Sequence, residues 1–433
     1  MSRMQFPSRS EIEAGQLARL RSMLAEVAPD NPFYKDRLQE ARITKEIDSL
    51  QSFFNSGLFT RKTDLVADHA ANPPYGTNLT YPLNRYTRYN QTSGTTGLPL
   101  RWLDTPDSWD WMVSNWVEVL QASGVTPGER IFFAFSFGPF LGFWTAFEAG
   151  CKYGCICIPG GGMSTSARLR SIVGNSATVL CCTPTYAIHL GEAALEGGVD
   201  LSNGPIKTII VAGEPGAGIP ATRARMERVW PGARIWDHHG MTEIGPVSYE
   251  CPANPGTLHI IERSFIPEVV NPETGDRLGS GEEGELVLTN LGRWGSPLIR
   301  YRTGDLVMQA PQEVCTCGRS DFALDGGIRG RTDDMVVIRG VNVHAGAVEG
   351  IVRRYPEVAE YRVEVSTRNA LHEISVSIEP SPECSAPEVL RDNVQTALRV
   401  AFNLRVPVAL AQPGDLPRFE MKARRWVKID QDV

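Results

Sequence analysis

The sequence predicts an α/β fold. A large N-terminal domain on doubly wound, mixed sheets (residues 1–332) would be followed by a small α+β C-terminal domain (residues 333–433). Two patterns carry this. From about residue 130 to 240, β-rich runs alternate with helical ones, the order that yields a mostly parallel sheet covered on both faces. After about residue 332 the order becomes strand, helix, hairpin, long helix over roughly 100 residues, a usual domain size.

Residues 11–60 read as helical, with a clear helical apolar period in "AGQLARLRSMLAEVA". "YNQTSGTTGLPL" (Tyr89 to Leu100) holds Ser93, Gly94, Thr95, Thr96 and Gly97, which cannot pack a core. Its glycines would let backbone N–H groups approach an anion. It is not a Walker loop, because no Lys-Ser or Lys-Thr follows the second glycine, and by itself it reads first as a linker. "ERIFFAFSF", "SATVLCCTP", "IKTIIVAG" and "ARIWDHHG" read as strands, and "MSTSARLRSIVGN", "YAIHLGEAALEGG" and "ATRARMERVW" as helices. The most apolar run, Ile131 to Phe147, is slightly short for a membrane span and contains glycines and a proline. It reads as a buried strand followed by a pocket-lining turn and a helix. "GELVLTN" and "PLIRYRTGDLVM" suggest a more antiparallel unit. "DDMVVIRG", "AGAVEGIVRRY", "YRVEVSTRNALHEISVSIE" and "APEVLRDNVQTALRVAFNL" supply the strand, helix, hairpin and long helix of the small domain.

A chain of 433 residues with 42% hydrophobic residues can bury more than one core. Its net charge of −7 and scattered basic residues exclude an extended nucleic-acid surface. No apolar signal segment opens the sequence, and no membrane partner is expected. Nine cysteines without a secretory signal point to reduced thiols and a cytoplasmic setting. Cys151, Cys155, Cys157, Cys181 and Cys182 lie in apolar runs and are expected as small core residues.

Behind the glycine-rich loop, further motifs stand in order: "AGEP" (Ala212 to Pro215), "HHGMTEIGP" (His238 to Pro246), "YRTGD" (Tyr301 to Asp305), "GRTDDMVVIRGVNV" (Gly330 to Val343) and "EMKARR" (Glu420 to Arg425). As an ordered set they resemble the adenylate-forming enzymes: acyl- and aryl-CoA ligases, peptide-synthetase adenylation domains and luciferases. "NPFYKDRL", "SGTTG" and "RGVNVHAGAVE" look most like the phenylacetate–CoA ligase branch, and the resemblance runs along essentially the whole chain.

The resemblance implies a carboxylate attacking the α-phosphate of ATP, giving acyl-AMP and pyrophosphate, then transfer to CoA. It implies that Thr92, Ser93, Gly94, Thr95, Thr96 and Gly97 wrap the phosphates, Thr242 donates to the α-phosphate and Glu243 holds Mg2+, a cation that prefers oxygen ligands. Asp305 would accept the ribose hydroxyls with its two oxygens. Gly213, Glu214 and Pro215 would line the adenine slot, and Arg331 would reach ribose and phosphate. Asp333 matches the hinge about which the small domain rotates, and Lys422 the lysine that swings in for adenylation. The plainer readings are a turn residue for Asp305, a helix-start acid for Glu243 and a solvated basic run for Lys422. Where relatives often carry Tyr, this chain has His239, which can still stack on adenine with a titrating ring. Arg101 is the cation nearest the glycine-rich loop, where many relatives carry Lys.

Cys251, His259, Cys315 and Cys317 form a Cys₃His set suited to structural zinc, and the same branch has a similar pattern. The alternative is unpaired loop thiols. For the acid, Phe135, Phe137, Phe140 and Phe143 would supply one aromatic wall, with room left by Gly138 and Gly142. His238, Gly240, Ile244, Gly245 and Pro246 would supply the other. An aryl or arylacetic acid is expected, with a polar substituent contacting His238. Three functions compete: an aryl-acid–CoA ligase, an adenylating enzyme whose acceptor is an amine or carrier protein, and a non-catalytic nucleotide-binding protein. The sequence leaves homodimer formation open.

Overall fold

The computed structural model describes residues 6–92, 99–311, 314–332, 335–338, 341–368, 371–419 and 423–429. The N-terminal helix Arg9–Asp30 starts at a capping box. The Ser8 backbone N–H donates to Glu11, and the Ser8 hydroxyl accepts the Glu11 N–H. The expected helical stretch then breaks into the short helices Lys35–Glu40 and Leu50–Phe54.

The centre is a five-stranded parallel sheet. Its spatial order is Ile156–Pro159, Arg130–Phe133, Val179–Cys182, Thr208–Val211, Arg234–Asp237. Helices Trp144–Tyr153, Thr165–Gly174, Pro184–Glu196 and Pro220–Val229 make the crossovers. Successive strand residues face two different cores. Ile131, Phe133, Val179, Cys181 and Ile210 join one, while Phe132, Leu180, Cys182, Ile209 and Ile235 join the other. That burial on both faces is why these strands read as unbroken apolar runs. Strand "ERIFFAFSF" stops at Phe133, earlier than its composition suggests.

An antiparallel sheet follows, ordered Phe265–Val270, Glu283–Asn290, Tyr301–Met308, Gly330–Arg331. In the C-terminal part, Val358–Arg368 and Leu371–Pro380 form the expected hairpin. Strands Val408–Leu410 and Trp426–Ile429 flank it in parallel. Helices Ala345–Val352 and Pro387–Phe402 accompany this sheet, and the third apolar core is built from residues between Val336 and Trp426 alone. Among the described residues no helix is long and apolar enough to cross a membrane.

Candidate active site

In the parallel sheet the first strand in sequence, Arg130–Phe133, lies between the second and the third. Such a reversal of winding leaves a crevice at the carboxyl ends of the strands, where open α/β sheets bind ligands. The segments leaving those ends are Phe135 to Phe143, the start of helix Pro184–Glu196, the "AGEP" loop and "HHGMTE". The motifs scattered along the chain therefore converge on one edge of one sheet.

The glycine-rich loop connects two antiparallel strands, Arg88–Gln91 and Arg101–Asp104. Its base is closed by Thr92, whose N–H donates to Leu100 O at 2.9 Å and whose hydroxyl accepts the Leu100 N–H at 3.0 Å. Ser93 to Gly97 lie outside the described residues, as do Asp333 and Lys422.

"GMTEIGP" is a tight hairpin: Gly240–Met241 pairs with Gly245–Pro246, leaving Thr242 to Ile244 at the tip. Glu243 is thus in a turn between strands, which removes the helix-start reading. Gly245 has φ +100° and its α-carbon faces Met112, so a side chain there would be strained. Fully buried Arg293 holds the tip by donating to Thr242 O at 2.7 Å and Glu243 O at 2.9 Å. Its other nitrogens grip both oxygens of buried Asp104 at 2.6 and 2.7 Å. Asp104 ends the strand that follows the glycine-rich loop, so one ion pair ties the two expected phosphate elements together. Sequence reading missed both residues; partners 189 positions apart leave no local pattern. Lys62, also missed, places Nζ 3.7 Å from Glu243 Oε1. Arg101 instead points its guanidinium at Pro74 O, at 3.2 Å on the exposed surface.

Asp305 sits within strand Tyr301–Met308, directly opposite Arg331, which removes the turn-only reading. Its carboxylate is buried. Oδ1 accepts from Arg331 Nη1 at 2.8 Å and Oδ2 lies 3.0 Å from His239 Nε2. Burial alone would raise this acid, but His239 and Arg331 outweigh it and hold it below the usual carboxylate range. His239 thus braces Asp305 through its Nε2.

His238 is buried and tilts against Trp116, with ring centroids 4.2 Å apart. Its Nδ1 lies 2.5 Å from Ser248 O. A carbonyl only accepts, so Nδ1 carries the proton and Nε2 keeps a lone pair. Burial depresses its pKa to about 3, so the ring is neutral. From Trp116 an aromatic cluster runs through Phe143 to Phe135, Phe137 and Trp144. Phe143 is core, whereas Phe135, Phe137 and Phe140 are half-buried at the strand ends. A Cβ on Gly142 would lie 2.3 Å from the Phe135 ring, so glycine makes room for that ring.

The four donor atoms of Cys251, His259, Cys315 and Cys317 lie within 4.8 Å of one another. Cys251 and Cys315 sulfurs are 3.5 Å apart, and Cys317 Sγ is 3.5 Å from His259 Nε2. The set therefore fits a four-coordinate zinc, whose ligand sulfurs stand roughly 3.8 Å apart when Zn–S is about 2.3 Å. Burial holds His259 neutral, down to about 4, as a ligand must be. Of the other cysteines, Cys155, Cys181 and Cys182 are core and Cys157 half-buried, but Cys151 is exposed, contrary to its apolar sequence setting.

Gly213 has φ +98°, which lets the "AGEP" loop turn sharply after its strand. The Glu214 carboxylate accepts the Thr185 N–H at 2.8 Å and the Ala423 N–H at 2.8 Å, so both oxygens are engaged. Arg425 binds Glu360 at 2.7 and 3.1 Å and reaches the Thr185 hydroxyl at 3.3 Å. Arg225 donates to the carbonyls of Val358 at 2.8 Å and Ala359 at 3.2 Å. These contacts seat the C-terminal part on helices Pro184–Glu196 and Pro220–Val229.

The profile of the AMP-binding enzyme family matches residues 89–292, and that of the AMP-binding enzyme C-terminal domain matches residues 340–429. The phenylacetate-coenzyme A ligase of Thermus thermophilus is 33% identical over 433 residues, 95% of each chain. The chain belongs to the adenylate-forming enzymes, in their phenylacetate–CoA ligase branch. The Escherichia coli phenylacetate-coenzyme A ligase is 30% identical to this ligase over 96% of its chain and 94% of that relative's. Among solved structures, 2-hydroxyisobutyryl-CoA ligase in the postadenylation state with 2-HIB-AMP matches with TM-score 0.92 at 25% identity, over 98% of this chain and 91% of that one. With CoA bound in its thioesterification state, the same ligase matches with TM-score 0.74 at 26% identity, over 99% of this chain and 91% of that one.

Proposed function

We propose that the protein activates an aromatic carboxylic acid with ATP and passes the acyl group to CoA. In the first step the acid's carboxylate attacks the α-phosphorus, forming acyl-AMP and expelling pyrophosphate. In the second, the CoA thiol attacks the acyl carbon, forming the thioester and releasing AMP. The observation that carries the reading is the braced Asp305 beside the Arg293-held Thr242–Glu243 tip, at the carboxyl edge of the parallel sheet.

Asp305 keeps unused lone pairs and serves as ribose acceptor, with Arg331 and His239 fixing it. Backbone of Gly213, Glu214 and Pro215 lines the adenine slot. Thr242 donates to the α-phosphate, and Thr92 to Gly97 wrap the chain of phosphates. Glu243 fits Mg2+: its carboxylate is buried yet attracts a cation, Lys62, to 3.7 Å. Bound there, Mg2+ would neutralise phosphate charge. Residues 1–332 and 333–433 act as separate domains pivoting at Asp333, with Lys422 entering for adenylation; the self-contained third core supports this division. Better agreement with the postadenylation structure supports an adenylation orientation here.

The acid occupies the space between the half-buried phenylalanines and His238, Gly240, Ile244, Gly245 and Pro246. Neutral His238 offers an acceptor, so the acid carries a donor, a hydroxyl or amino group. Zinc at Cys251, His259, Cys315 and Cys317 is structural, because four protein ligands leave no open position. Elemental analysis should find about one zinc per chain, and Cys315→Ser should lose the metal and melt earlier. An odd count of nine cysteines supports a reducing, cytoplasmic setting.

The deciding experiment screens aromatic acids for acid-dependent pyrophosphate release, then identifies products with CoA. No release with any acid would refute adenylation. Release without a CoA thioester would favour an amine or carrier-protein acceptor.

A further inference from the structure

Glu214 belongs to the loop after strand Thr208–Val211, yet its side chain is committed away from simple slot-lining. One oxygen accepts the Thr185 N–H at 2.8 Å, in the first turn of helix Pro184–Glu196, where a helix start favours negative charge. The other accepts the Ala423 N–H at 2.8 Å, and Ala423 directly follows Lys422 in the chain. One carboxylate thus bridges helix Pro184–Glu196 and Ala423, the residue next to the lysine proposed for adenylation. An independent observation ties this bridge to one domain orientation: the chain matches one state of 2-hydroxyisobutyryl-CoA ligase at TM-score 0.92 and its thioesterification state at 0.74.

We infer that Glu214 is a latch that selects the acyl-AMP-forming orientation, a positioning residue acting through Ala423 on the neighbouring Lys422. The inference rests on the adenylating function proposed above. When the small domain rotates for the second half-reaction, the Ala423 N–H must leave, while the Thr185 N–H stays to hold the carboxylate in place. A contact present in only one orientation shifts the balance between the two by its own free energy.

Glu214→Gln tests this with a side chain of the same shape. Its single amide oxygen suits the helix start, which leaves an NH₂ facing the Ala423 N–H, donor against donor. Pyrophosphate release driven by the acid should fall about tenfold, as loss of a hydrogen bond to a charged group implies. Thioester formation from supplied acyl-AMP should hold or rise, so the ratio of the two rates falls. Hydrogen exchange should quicken in the peptide containing Ala423 and stay slow in helix Pro184–Glu196. Equal loss in both half-reactions would make Glu214 a slot or folding residue and overturn the latch; so would an unchanged ratio. If the wild-type protein adenylates no acid, the functional reading fails and the latch falls with it, while exchange at Ala423 still reports the bridge itself: faster exchange in the variant upholds the Glu214–Ala423 contact, and unchanged exchange overturns it.

Discussion

On the proposed reading, His238 would separate substrates by a proton it does not have. Its Nδ1–H is spent on Ser248 O at 2.5 Å, and burial keeps the ring neutral down to about pH 3. Its Nε2 can only accept. A hydroxyl- or amino-bearing aromatic acid should therefore be preferred over the unsubstituted acid, and His238→Leu should cut that preference by about tenfold to a hundredfold. The preference should be flat from about pH 5 to 9, since the ring's pKa of about 3 lies below that window. Values of kcat/KM for a matched pair of acids across pH check this, and a step near pH 6.5 would show a solvated, titrating ring instead. The sequence places His238 in the pocket wall, but its tautomer is set by a carbonyl ten residues on, across the hairpin. The same holds next door. His239 reads as a stacking ring in the place of Tyr, and only the fold shows it 3.0 Å from a carboxylate 66 residues away. Local pattern identifies a residue type; long-range pairing decides what its polar atoms do.

At the scale of elements, the parallel sheet was legible because both faces are buried and its strands alternate with helices of matching length. The hairpin holding Thr242 and Glu243 was not, since two-residue strands carry no period. Nor was its support. Arg293 and Asp104 are both fully buried, and Arg293 reaches two backbone carbonyls of the tip. Breaking such a pair strands a buried charge, so Arg293→Met should cost about 3–5 kcal/mol in chemical denaturation. Replacing both charges, in Arg293→Met with Asp104→Leu, should recover much of that stability, because matched apolar groups fill such sites at little cost. Adenylation should stay depressed in the double variant, since the carbonyls of Thr242 and Glu243 remain unheld. Full recovery of both stability and rate would reduce Arg293 to a folding residue.

For the whole molecule, the strand, helix, hairpin and helix of the C-terminal part were readable in the sequence, but their seat on helices Pro184–Glu196 and Pro220–Val229 was not. Arg225, Arg425 and Glu360 look like ordinary surface charges in sequence, yet all three are buried at or beside the contact. On the proposed reading, rotation of that part would make the two half-reactions separable. Lys422→Ala should slow acyl-AMP formation about 10²–10³-fold, the usual scale for a donor that acts on transition-state charge. Conversion of supplied acyl-AMP to thioester should continue, because in the proposed mechanism the lysine serves only the first orientation. The fall should appear in kcat more than in KM for ATP. The combination with Glu214→Gln is the sharper test. A latch that only delivers Lys422 has nothing to deliver once the lysine is gone. The double variant should therefore adenylate no more slowly than Lys422→Ala alone, the non-additivity expected of residues acting as one unit. Multiplying losses would mean that Glu214 and Lys422 act independently, and that the Ala423 contact does not work through the lysine.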